Sequence, residues 1–275
     1  MTDMADTSAP DLTWYIDAWE QSLRSTLDLA SGFEDSDWRR PTRCPGWDVH
    51  DQVAHLVAVE AQLAGAAVPP EAPPAGHIRN SVGQYVERGV HARRAISGPQ
   101  LLTELEQVLP KRLTQLRARP LTAADQLIGV MGKPRPAVTV LRARAFDVWA
   151  HEHDIRAAVE RPGNLDAPAA EVGWQIIVDA LGDVVLPAAG ALAGQSVAVE
   201  VTDRPRRQAA AAIDDTGHGH VLPAIPQRPT AALHLRWTDL AARACGRLGA
   251  EATPVQISGE ADLGRRALAA LAITP

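Results

Sequence analysis

Arg144, Asp147, His151 and Asp154 follow one another at intervals of three, four and three residues. On a helix that spacing lays all four side chains along one face. Asp147 and His151 stand at i and i+4, so a carboxylate and an imidazole converge on one point. These are donor types that hold zinc and other divalent ions. Apolar neighbours, Phe146, Val148, Trp149 and Ile155, flank the stripe. On spacing alone, the stripe reads first as the wet face of an amphipathic helix, the ordinary case for an isolated D-x-x-x-H. His55 lies among Val53, Ala54, Leu56 and Val57. A lone histidine in such surroundings is ordinarily a hydrogen-bonded core residue. Arg156 and His153 fall off the stripe and take no catalytic role. His218 and His220 flank Gly219 with no carboxylate pattern around them, which predicts a flexible loop.

The elements that would carry these residues are legible from periodicity. Leu12, Ile16, Trp19, Leu23 and Leu27 predict a helix over 11–30, ended by Gly32. The segment 41–47, with two prolines and a glycine, reads as an ordered turn. Asp48 then suits an N-cap, with Asp51 in the first turn of a helix carrying His55. The proline-rich stretch 66–76 is a loop. Helices follow over 80–97 and from Pro99 through Leu101, Leu105, Leu109, Leu113 and Leu116, with a kink or break expected at Pro110. Residues 129–137 read as a connection. The helix 138–160 bears the stripe and stops at Arg161-Pro162-Gly163. A helix over 168–188 could join either half of the chain. Beyond residue 190, strands are expected at 196–202, 231–236 and 255–257, and helices at 238–248 and 260–272. The whole reads as α+β, a helical bundle over 1–165 followed by a small α+β domain over 166–275.

Composition narrows the function. The net charge of -6 argues against nucleic-acid binding. No apolar run approaches the roughly 20 residues that span a bilayer, and the polar start, Met1 to Pro10, does not resemble a signal peptide. Cys44 and Cys245 are too few and too distant for a disulfide framework, which suits a cytoplasmic location. Seven Trp against two Tyr and two Phe suggest that several indoles line a cavity instead of a dry core.

Three runs carry a resemblance. Arg40 to Leu56 (RPTRCPGWDVHDQVAHL) resembles the first signature of the actinobacterial mycothiol-dependent maleylpyruvate isomerase family, part of the DinB-like superfamily of metal-binding bundles. Arg144 to Arg156 (RAFDVWAHEHDIR) resembles its second signature. Val255 to Leu268 (VQISGEADLGRRAL) resembles the tail of its sterol-carrier-like second domain. The runs span nearly the whole chain in the family's order. The resemblance implies a DinB-like four-helix bundle with His55, Asp147 and His151 as ligands of one divalent metal. The founding isomerase has Glu at the acid position, so the shorter Asp147 moves the ion and weakens transfer of the isomerase activity itself.

Two imidazoles and one carboxylate leave positions open, as at catalytic zinc. The resemblance implies mycothiol there as thiol cosubstrate, with a small electrophile as substrate; the chain itself is expected to be a monomer or weak dimer. A metal-bound thiolate would attack an activated double bond or displace a leaving group, as a transferase or an isomerase does. On the stripe, Asp154 would orient a ligand imidazole or act as a base. Arg144 would pair with Asp154 or hold an anionic substrate. Trp47 would wall the cavity or pack in the core. The same ligands suit non-haem Fe(II) and oxygen, and a non-catalytic metal or ligand-binding protein is the third reading.

Overall fold

The computed structural model describes residues 12–274, so the start, Met1 to Pro10, lies outside the described residues. Helix α1 (Leu12–Ala30) buries Leu12, Ile16, Trp19 and Leu23 as one stripe. A four-residue helix, α2 (Asp35–Trp38), follows and has no apolar periodicity to announce it. Helix α3 (Val49–Leu63) begins at Asp48, whose carboxylate accepts the Asp51 N–H at 2.9 Å. Helix α4 (Ser81–His91) stops short of the expected residue 97, because residues 92–96 wind into turns. Helix α5 (Gly98–Arg117) starts at a Ser97/Gln100 capping box and runs unbroken through Pro110, where a kink or break was expected. Pro110 and Glu106 are both exposed, so the ring faces water and the carbonyl it leaves unpaired can be hydrated.

Strands β1 (Gln126–Ile128) and β2 (Pro134–Pro136) form a small antiparallel hairpin where a plain connection was expected. Helix α6 (Ala137–Ala158) carries the chemical stripe. Helices α1, α3, α5 and α6 form a ring in which each packs against two of the others.

Helix α7 (Pro168–Ala180) continues through a π turn, Leu181–Val185, into a last turn, α8 (Leu186–Ala188). Its first part packs on α1 and α6, and its π turn packs on the sheet beyond. That sheet comprises β3 (Ser196–Val201), β4 (Gln208–Ile213), β5 (Gly219–Val221), β6 (Ala231–Leu235) and β7 (Gln256–Gly259), in the order β5-β4-β3-β6-β7. Only the β3–β6 pair is parallel. Helices α9 (Trp237–Ala244) and α10 (Ala261–Ala270) complete the unit. His220 does not lie in a loop but in β5, where it pairs with Ala212, while His218 stands in the turn between β4 and β5, its N–H donating to Asp214 Oδ1 at 2.9 Å.

Val197, Val199, Ala211, Ile213, Leu233 and Leu235 face inward and join one apolar cluster that includes Leu23, Leu56, Leu101 and Trp149 of the helical unit. The two units therefore share a core. No described helix is long and apolar enough to cross a membrane.

Candidate metal centre

His55 sits two turns into α3, with Asp147 and His151 facing it from α6. Their ligand atoms all lie within 4.8 Å of one another. His55 Nε2 is 3.4 Å from Asp147 Oδ2, and His151 Nε2 is 3.6 Å from Asp147 Oδ1. Donors bound tetrahedrally at about 2.0–2.1 Å stand about 3.4 Å apart, so these separations already suit one ion. Both imidazoles are buried, whereas the Asp147 side chain is 37% exposed, so the cluster reaches solvent on the Asp147 side.

The electrostatics favour a cation. Burial, with His151 beside it, pushes His55 down to about 4, so this ring is neutral at pH 7. Burial opposes ionisation of Asp147, but Arg144 and the two histidines outweigh it and hold the carboxyl well below the usual range. Burial likewise works against a charge on His151, and Asp147 overcomes it, raising that ring. A neutral imidazole, an ionised carboxylate and a second imidazole fit a divalent ion.

Neighbours fix the three side chains. Thr42 Oγ1 donates to the Trp47 carbonyl at 2.8 Å and accepts from Gln52 Nε2 at 2.9 Å. That orientation turns Gln52 Oε1 toward His151 Nδ1, 2.5 Å away. In the neutral ring the proton therefore sits on Nδ1, and Nε2 offers its lone pair on the Asp147 side. Arg144 donates to Asp147 Oδ2 at 2.5 Å and to Glu60 Oε1 at 2.6 Å. Glu60 is fully buried and also accepts from the Trp19 indole at 2.9 Å. Arg144 thus pairs with Asp147 and Glu60, not with Asp154, and both ends of its guanidinium are occupied. Asp154 instead accepts from Arg247 at 2.9 Å and lies 3.6 Å from His151 Nδ1.

Trp47 covers both imidazoles, with ring centroids 5.1 Å from His55 and 6.0 Å from His151. Its indole N–H donates to buried Glu87 at 2.9 Å, and Glu87 also meets Arg94 at 2.7 Å. Gly46 holds the preceding turn at φ +79°, and a Cβ there would fall 2.4 Å from the His77 ring. Only glycine fits that turn without displacing His77.

Gln52, Glu60, Glu87 and Arg247 escaped the sequence reading. Gln52 alone left a signal, since it stands three residues before His55 on the same helix. A cavity of about 200 Å³ opens on another flank of α6, lined by Trp149, His153, Asp154, Leu165, Ala241 and Arg247 among others. Of the indoles, Trp149 borders that cavity and Trp47 the triad, while Trp19, Trp38, Trp149, Trp174 and Trp237 all belong to the apolar core.

The family described as mycothiol maleylpyruvate isomerase N-terminal domain matches residues 19–156. That span holds all three triad residues and ends before Arg247. Two uncharacterized proteins of Mycobacterium tuberculosis, one from each of two strains, are each 26% identical over 132 residues, which is 44% of this chain and 47% of theirs. The chain spans about half the length of the curated relatives it matches. In fold it is similar to a crystal structure of the mycothiol-dependent maleylpyruvate isomerase, with a TM-score of 0.56 at 16% identity over 90% of this chain and 92% of that one. A histidine-to-alanine mutant of that isomerase superposes with a TM-score of 0.53 over the same shares. At such identity the likeness is one of fold.

Proposed function

Since the chain belongs to the mycothiol maleylpyruvate isomerase N-terminal domain family, we propose that it is a metal-dependent thiol transferase or isomerase acting with mycothiol on a small electrophilic molecule. The observation that carries this reading is the convergence of His55, Asp147 and His151 within 4.8 Å. A divalent ion, zinc by its donor set, would lower the pKa of a bound thiol so that the thiolate forms near neutral pH.

The chain's own residues supply the rest. Gln52 holds the His151 proton on Nδ1 and so keeps Nε2 available. Arg144, anchored on Glu60, stops Asp147 from rotating away. Trp47 shields both imidazoles. The exposed flank of Asp147 leaves room for a thiol and an electrophile to approach from solvent. Thiol addition to an activated double bond, with elimination or release of the adduct, is the reaction class this arrangement serves.

The test combines metal analysis with turnover. Wild-type chain should bind one zinc per molecule and form or rearrange thiol adducts only when mycothiol is supplied. His55→Ala should lose both. Stoichiometric iron with oxygen uptake would replace this reading with Fe(II) chemistry. Tight ligand binding with no adduct from a panel of electrophiles would leave a non-catalytic binding protein.

A further inference from the structure

Behind His151, on the side away from Asp147, an ion pair largely shielded from solvent links the bundle to the second unit. Arg247 Nε donates to Asp154 Oδ2 at 2.9 Å, and the two side chains are 14% and 6% exposed. Arg247 Nη1 also donates to the Cys245 carbonyl at 2.9 Å, and the Arg247 backbone N–H reaches the Ala242 carbonyl at 2.8 Å. The guanidinium is thus anchored on the C-terminal end of α9. Asp154 Oδ2, the oxygen that Arg247 grips, is also the one 3.6 Å from His151 Nδ1. Gln52 Oε1 lies at 2.5 Å from the same nitrogen.

Two acceptors therefore compete for one imidazole proton, and the neutral amide is the nearer. Without Arg247, Asp154 would be a buried carboxylate with His151 as its remaining close partner, a costly arrangement that turns the carboxylate toward the ring. We propose that Arg247 is a positioning residue of the metal centre. By clamping Asp154 it keeps His151 in the orientation set by Gln52, so the second unit completes a site whose ligands all come from the bundle. This rests on the reading of the triad as metal ligands.

The experiment uses the full-length chain and zinc alone, with affinity measured by competition against a chromophoric chelator. The visible spectrum of the cobalt(II)-substituted protein reports ligand geometry. Arg247→Met should weaken zinc binding by about 10- to 100-fold, the usual effect of removing an outer partner, and should shift the cobalt bands. Arg247→Lys should recover part of the loss. In an Asp154→Asn background, Arg247→Met should change affinity by less than about twofold, the scatter expected when nothing remains to couple.

Thermal unfolding of the metal-free chains checks that each variant is folded. If Arg247→Met is not, Arg247→Gln takes its place. Folded Arg247 variants with wild-type affinity and spectrum, or losses that multiply in the double variant, overturn the proposal. Wild-type binding that His55→Ala leaves intact would instead sink the triad reading itself.

Discussion

Cys44 and Cys245 bear on where the reactive sulfur comes from. Burial pushes Cys44 up to about 11, with Arg247 only partly offsetting it. Burial likewise pushes Cys245 up to about 12. A thiol with a pKa near 11 is ionised to roughly 0.1% at pH 8, and the thiolate is the reacting species. Neither residue is a nucleophile near neutral pH, so the proposed chemistry needs a thiol from outside. Iodoacetamide at pH 8 should alkylate the native chain over ~100-fold more slowly than free cysteine, and unfolding should restore the ordinary rate. Rapid native labelling at Cys44, read by mass spectrometry, would point to a protein thiol instead.

The linkage has a definite sign. Both thiols are raised on folding, so between about pH 9 and pH 11–12 the unfolded chain ionises while the native one does not. Their contribution to stability is present below about pH 9 and is lost as pH rises through that window. At this same scale, spacing exposed only the Asp147–His151 pair. His55 lies 92 residues from Asp147, and no periodicity links them, so it entered through the resemblance. Arg247 was invisible, because its role depends on how the second unit docks.

Elements defined by a strong apolar stripe were legible, and those lacking one were not. The α1 stripe and the Asp48 cap of α3 stand where spacing put them. Strand β4 reads QAAAAI, and alanine has little strand preference, so nothing marked it. Hairpin β1–β2 contains Pro134 and Pro136, residues that argue against a strand. Pro110 shows tertiary context overriding a local rule. Leu105 and Leu109 are buried on the inner face of α5, and their packing holds the helix through a residue that disfavours it. Pro110→Ala restores an N–H for the Glu106 carbonyl and removes the ring clash. It should raise stability by about 1–3 kcal/mol, read as a higher denaturation midpoint at unchanged m-value. A lower midpoint would mean that the proline contributes through the unfolded chain.

At the scale of the molecule, the boundary suggested at residue 165 runs through a shared core. Trp237 of α9 is fully buried, stacks on Trp149 of α6 at 5.4 Å, and meets Trp174 of α7 edge-on at 6.2 Å. Arg207 lies over its ring at 4.8 Å and is held by Glu171 at 3.1 Å. Such a junction couples the units, so the wild-type chain should unfold in one calorimetric transition. Trp237→Ala should cost about 3–5 kcal/mol and split the melt into two steps, whereas Trp237→Phe should keep one. The consequence reaches the triad, because Trp149 lies two residues from His151 and Arg247 follows closely on α9. Loosening the indole stack releases the Arg247 clamp on Asp154, so Trp237→Ala should also weaken zinc binding in chains that remain folded. Two transitions in the wild type, with zinc affinity indifferent to Trp237→Ala, would show instead that the bundle holds its metal alone.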